Sequence, residues 1–344
     1  MALRLVPAWL IGIAACALPW LVAFRQSPLL PRDPDAPGQL FVLVACAGLG
    51  AWVARTDGWL GAFVAYAALA ALWTDPVVHP VSVVVLIALG AVALVWVRRL
   101  PRRHRGGLRL GVLALAVGQV AYQCAQSVGV DPAWAGRPLT DGRIPGTMGH
   151  PIWLGSLLAL VGPLAPLWLL PVFALGLWLA KAKLAMLALG AGLVVRRSRV
   201  LGLALAAAGA LVLWRSSWDS LGARVRVWRL ALGWWWREAR WLGFGPGSWW
   251  EAVPGAQVRA GVYPTEHFRK AHNELVQLAF EFGLVGLGLL AGWCWHHRDA
   301  VAGHSGGALV ALAIVSLGMF PFHVAQVAAP ALVILGLATA EPAR

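Results

Sequence analysis

Charged residues are scarce in this chain. Only 12% of its 344 residues are Asp, Glu, Lys or Arg, where a soluble domain carries about 25%. Acidic residues are the rarer kind, 14 against 28 Lys and Arg. That shortage excludes a globular enzyme held by one anchor. With 60% hydrophobic residues and a mean hydropathy of +0.72, the chain reads as a polytopic membrane protein. In lipid every backbone group must bond internally, so the apolar runs are helices and the expected fold class is an all-α membrane protein. The net charge of +14 would suggest nucleic acid in a soluble protein. In a membrane chain it reflects Lys and Arg retained on the cytoplasmic side and contact with anionic membrane lipids, so no nucleic-acid partner is expected.

Cysteine is also rare. Cys16, Cys46, Cys124 and Cys294 each lie in an apolar run without short spacing, which excludes a disulfide framework and a cysteine metal site. No Walker loop, His-Glu-x-x-His helix or Cys-x-x-Cys pair is present. Their absence argues against nucleotide hydrolysis and for energy stored in the substrate itself. No metal and no cofactor is expected. The N-terminal apolar run lacks a convincing small-residue cleavage site and reads as a first span.

What the chain has is apolar runs in series. Spans are expected near residues 5–23, 40–54, 59–73, 81–97 and 110–128. Others are expected near 200–214, 273–295, 308–320 and 324–338. Residues 98–109 hold six arginines, the strongest cytoplasmic marker, because short loops follow the positive-inside rule. Between residues 151 and 195 there is no polar loop, only prolines and the pair Lys181 and Lys183. An odd number of crossings is needed there, and three short helices fit, with the two lysines at the outer end. The count is then about twelve transmembrane helices in a single polytopic domain over residues 1–344, with both termini cytoplasmic. A long loop, residues 215–271 between spans 9 and 10, falls outside although it carries nine Lys and Arg against four Asp and Glu.

Several stretches suggest chemistry. Residues 224–241 mix Arg and Trp at mostly helical spacing, as in an interfacial amphipathic helix with Arg on phosphates. They run to a glycine-rich turn at residues 243–247, which permits close backbone approach to a ligand. Gln119, Tyr122, Gln123 and Gln126 form a polar stripe that reads as inter-helix hydrogen bonding. Lys181 and Lys183 are costly in a membrane. They either snorkel to headgroups or form an anion site. Residues 129–149, with Arg143, are expected on the same outer side.

The densest signal lies at residues 263–286, where a polar, basic stretch turns into an apolar helix. Asn273 is a good N-cap and Glu274 suits the helix dipole. His272 then stands just outside the helix, beside Arg269 and Lys270, cations that would lower its pKa and keep it neutral. A neutral imidazole can accept a proton from a hydroxyl. Glu281 is nine residues on, about 13 Å along the helix axis. It is too deep to touch what His272 touches and reads as a partner for a buried cation or polar group.

Four stretches together resemble the O-antigen ligase and O-antigen polymerase superfamily of membrane glycosyltransferases, over about residue 142 to the C-terminus. Gly146-Thr-Met-Gly-His-Pro-Ile-Trp-Leu-Gly155 is similar to its Gly-x-x-Gly-Asn-Pro stretch, with His150 where Asn is usual. Lys181-Ala-Lys183-Leu-Ala resembles its Thr-x-Ser-Arg-x-Ala stretch, with Lys183 for the arginine. Arg224-Val-Arg-Val-Trp228 followed by Gly243-Phe-Gly-Pro-Gly247 resembles a third. Ala271-His272-Asn273 with Glu281-Phe-Gly283-Leu-Val-Gly286 matches the most specific signature.

The resemblance implies a transferase of lipopolysaccharide or polysaccharide biosynthesis in the bacterial inner (cytoplasmic) membrane, its active site facing the periplasm. It implies inverting, metal-independent transfer of a glycan from an undecaprenyl-diphosphate-linked donor to an acceptor hydroxyl on a lipid, a glycan or a protein. By it, Arg224 and Lys183 bind the diphosphate and His272 activates the acceptor. Lys181 and Arg269 are counted with the diphosphate ligands; Asn273, Glu281 and Arg143 support. Ligase, polymerase and protein O-oligosaccharyltransferase remain open alternatives. A transporter or flippase of an anionic lipid-linked substrate is the alternative of another class; it would expect an internal repeat and paired mid-membrane charges.

Overall fold

The computed structural model describes residues 37–74, 80–131, 142–148, 150–196, 218–261 and 270–340. The runs expected at 5–23 and 200–214 lie outside the described residues, as does Arg269. Among the described residues all regular structure is helical. The α-helices are α1 (Pro37–Ala54), α2 (Gly58–Ala70), α3 (Pro80–Arg99), α4 (Arg102–Ser127), α5 (Pro151–Val161) and α6 (Leu170–Leu179). They continue with α7 (Lys183–Arg196), α8 (Trp218–Glu238), α9 (Trp249–Arg259), α10 (Glu274–His296), α11 (Gly306–Gly318) and α12 (Ala325–Thr339). By length and composition α3, α4 and α10 can each cross a membrane; the other apolar helices are shorter. The three short helices expected between residues 151 and 195 are α5, α6 and α7, and Lys181 and Lys183 fall between the last two.

The core centres on α5. Leu154, Leu157, Leu158 and Leu160 are all fully buried, so this helix is apolar all round and enclosed by its neighbours. It packs with α4, α6, α7, α11 and α12 in one cluster. Small residues set the close approaches. Gly155 of α5 abuts Ala182, and Gly318 at the end of α11 abuts Leu184 of α7. In lipid such contacts are held by dispersion and shape, since exclusion of water contributes little between apolar helices.

The two ends of the bundle differ. At one end Asp57, in the turn between α1 and α2, is 5% exposed. Its Oδ2 accepts from Arg98 Nη1 at 2.7 Å and Trp293 Nε1 at 2.8 Å, and lies 3.0 Å from His297 Nε2. Burial alone would raise its pKa; hydrogen bonds from His297, the Leu60 N–H and Trp293, with the Arg98 charge, outweigh it and hold the carboxylate ionised. The arginine-rich turn between α3 and α4 is at this end, and Arg105 donates to the Ala340 carbonyl at 2.9 Å. Glu274 is nineteen residues before Trp293 on α10. It is therefore roughly 28 Å away at 1.5 Å per residue, at the opposite end.

Helix α10 is not continuous, although its sequence reads as one span. Gly283 has φ 62° and ψ −167°, a conformation essentially confined to glycine. The backbone groups released by the break bond to the segment after α8. Phe244 N donates to Phe280 O and Gly245 N to Glu281 O, both at 2.9 Å; Leu284 N donates to Arg240 O at 2.8 Å and Val285 N to Trp241 O at 3.1 Å. Tyr66 Oη from α2 donates across the seam, to Leu242 O at 2.7 Å and to Phe282 O at 3.1 Å. These bonds take the place of helix hydrogen bonds lost at the break. The glycine-rich turn, whose composition permits close backbone approach, comes up against the backbone of α10. A Cβ on Gly243 would press on the Glu281 carbonyl.

Candidate active site

The site forms where α8, α10 and α11 meet at the end remote from Asp57. Asn273 caps α10: its Oδ1 accepts from Val276 N at 3.1 Å, and its Nδ2 donates to Leu317 O at 3.0 Å. His272 precedes it with φ 53°, a left-handed conformation that costs a non-glycine residue about 1 kcal/mol or more. Both neighbours are tied down. Trp228 Nε1 on α8 donates to Ala271 O at 2.6 Å, and Ala271 N donates to Gln277 Oε1 at 3.3 Å. The imidazole meets the Phe320 ring edge-on, with centroids 4.8 Å apart.

Arg224 lies one turn before Trp228 on α8 and donates to Gly318 O at 3.3 Å. Asn273 and Arg224 together therefore satisfy two carbonyls left open at the C-terminus of α11. The charge of Arg224 also acts on His272. Burial, then Arg224, then His150 push the His272 pKa down to about 3. Sequence reasoning anticipated a neutral imidazole but assigned the effect to Arg269 and Lys270. Among the described residues burial and Arg224 carry it rather than Lys270, joined by a histidine not counted among the candidates; Arg269 lies outside the described residues. His150 is the N-cap of α5, its Nδ1 accepting from Ile152 N at 3.2 Å. The clue was its place ahead of Pro151 in the 146–155 stretch, where a capping residue belongs.

Beneath His272 runs a buried polar network. Gln277 Nε2 donates to Glu281 Oε1 at 2.9 Å and lies 2.9 Å from His323 Nε2. Glu281 Oε2 accepts from Gly247 N at 2.9 Å. Glu281 thus bonds a side-chain amide and the glycine-rich turn, outside the immediate surroundings of His272. Glu274 Oε1 accepts from Phe322 N at 2.8 Å, and its carboxylate pairs with His323 Nδ1 at 3.1 Å. The Lys270 pKa is lowered by burial, partly offset by Glu281 and Glu274.

The polar stripe on α4 holds the segment leading to His150. Gln119 bonds Thr147 in both directions, at 2.6 and 3.0 Å. Gln123 donates to Ile144 O at 2.8 Å and Gln126 to Gly146 O at 3.3 Å. Residues 142 and 144 then line a cavity of about 410 Å³ with Trp178, Leu179, Lys181, Lys183 and Met186. Arg143 is close enough for its charge to act on Lys183. This lysine-lined cavity and the His272–Arg224–His150 group adjoin through Leu184, which follows Lys183 and touches Gly318. Among the described residues, no three His, Cys, Asp or Glu side chains gather as a metal ligand set. The end of the bundle therefore presents a neutral imidazole beside Arg224, with the lysine-lined cavity adjoining, an arrangement suited to an anionic substrate with a proton to give up.

Residues 152–291 match the family model described as O-antigen ligase. No match is found among curated proteins.

Proposed function

We propose, from the O-antigen ligase-like family that residues 152–291 support, that this membrane protein transfers a glycan from a polyprenyl-diphosphate-linked donor, undecaprenyl diphosphate in bacteria, to an acceptor hydroxyl. The observation that carries the reading is the meeting of His272, Arg224 and His150 at one end of the bundle, beside the Lys181–Lys183 cavity. In the proposed step the acceptor oxygen attacks the anomeric carbon and its proton passes to His272. The bond from that carbon to the phosphate oxygen breaks, with inversion, and the electron pair leaves with the diphosphate. Arg224, Lys183 and Lys181 hold that developing charge, with Arg143 supporting. Lys183 acts as a point charge without the paired donors of an arginine. Arg269 is part of the same proposal from its sequence position. The reaction as written needs no metal. The active-site end faces the periplasm and the arginine-rich end the cytoplasm in this reading.

An imidazole with a pKa of about 3 is a weak base, and substrate supplies the remedy. A bound diphosphate places negative charge beside the same cations that depress His272, and so raises its basicity when the donor is in place. Purified protein incubated with a polyprenyl-diphosphate-linked glycan and a panel of lipid, glycan and protein acceptors tests the proposal. Glycan is expected to move to one acceptor class, and His272→Ala to abolish transfer while the protein remains folded and binds donor. Transfer that survives His272→Ala would remove the base from the mechanism.

A further inference from the structure

His150 takes part in the site by position alone, and its chemistry can be read further. Its Nδ1 is occupied as an acceptor of the Ile152 N–H. An imidazole that accepts at Nδ1 carries its proton on Nε2 when neutral, so the second nitrogen is a donor. The ring is steadied by Trp153, with centroids 5.4 Å apart. The segment before it is pinned by Gln119, Gln123 and Gln126. It stands near enough to His272 for its charge to act on that imidazole. Gly155 of the helix it caps abuts Ala182, which precedes Lys183, and Ala185 of α7. The segment leading to His150 thus lines the lysine cavity through Gly142 and Ile144, while His150 itself acts on His272.

We propose that His150 is a further donor-binding residue, capping α5 through Nδ1 while its Nε2–H supplies a hydrogen bond to an anionic phosphate oxygen of the lipid-linked donor. The assignment rests on the diphosphate reading above. Two roles on two nitrogens can be separated by substitution. In His150→Asn the amide reaches the position of Nδ1 and keeps the cap, since Asn is among the best N-caps; the Nε2 donor is lost. In His150→Gln the amide nitrogen reaches the position of Nε2, and the cap is weakened.

The test is binding of a sugar-free polyprenyl diphosphate to the full-length protein in nanodiscs, with thermal unfolding in parallel. His150→Asn is expected to unfold like the wild type yet bind about tenfold more weakly, the scale of one charge-assisted hydrogen bond. His150→Gln is expected to bind nearly as the wild type and to unfold earlier. Wild-type affinity in His150→Asn would overturn the assignment and leave His150 a helix cap. A folded wild type that binds no diphosphate would overturn both this assignment and the diphosphate reading on which it rests.

Discussion

His272 keeps a backbone conformation that its residue type disfavours. The restraint comes from Trp228, Gln277 and Asn273 on either side, so the ring position is fixed before substrate arrives. Its protonation has a definite sign. The pKa is about 3 in the folded protein against an ordinary 6.5. Below pH 6.5 the unfolded chain binds a proton that the folded protein refuses. Stability is therefore expected to fall as pH drops from about 6.5 towards 3, with no contribution from this residue above that window. Thermal unfolding across that range should show a shallower pH slope for His272→Gln than for the wild type. Much at this scale was legible in the sequence. Asn273 is a local N-cap signal, and helix rise alone removed Glu281 from the histidine. His150 was not legible as a site residue, because its proximity to His272 arises from helices distant in sequence.

At the scale of elements, the three short helices between residues 151 and 195 were legible from length and charge. The break in α10 was not. Its run contains no proline and no loop composition, and a glycine inside an apolar span is common enough to read as packing. The break exists because residues 240–245 come back to accept and donate at the same place, a partnership only tertiary structure supplies. Gly283→Ala is expected to be severe. The new Cβ would lie 2.6 Å from Gly243 N, and alanine resists the backbone angles. A loss of about 2 kcal/mol or more should appear as earlier unfolding in detergent, with little change in helix content. Helix α8 shows what the Arg–Trp pattern was for. Val227, Ala231 and Trp235 are buried on one face, while Arg226, Arg229 and Arg237 are exposed on the other. The helix ends at Glu238, ahead of the glycine turn, and the carbonyls of residues 240–242 are given to the seam.

The whole molecule separates two chemistries by the length of α10. One end ties α1, α2, α3 and α10 together through Asp57, a carboxylate that no sequence pattern singles out. Asp57 is buried and multiply bonded, so it fastens these helices far more firmly than the exposed pair Arg298–Asp299 at 4.0 Å, which contributes little. The other end holds the candidate site. Arginine placement made this polarity legible, since residues 98–109 and Arg298 fall at the Asp57 end. The orientation in the membrane is tested with single cysteines at Arg226 and Arg103, both exposed, in a cysteine-free background. An impermeant thiol reagent applied from the outside is expected to modify the first and spare the second. The reverse pattern would invert the proposed topology.

The seam at Gly283 also bears on how the chain can be divided. Residues 240–245 are joined to α10 by backbone hydrogen bonds of the kind that pair strands, and Tyr66 crosses the join. The two parts are then held together by these bonds as well as by the covalent chain. A chain cut after Gly261, and resumed at Lys270, should reassemble from two co-expressed halves that copurify. The same halves carrying Gly283→Ala should part.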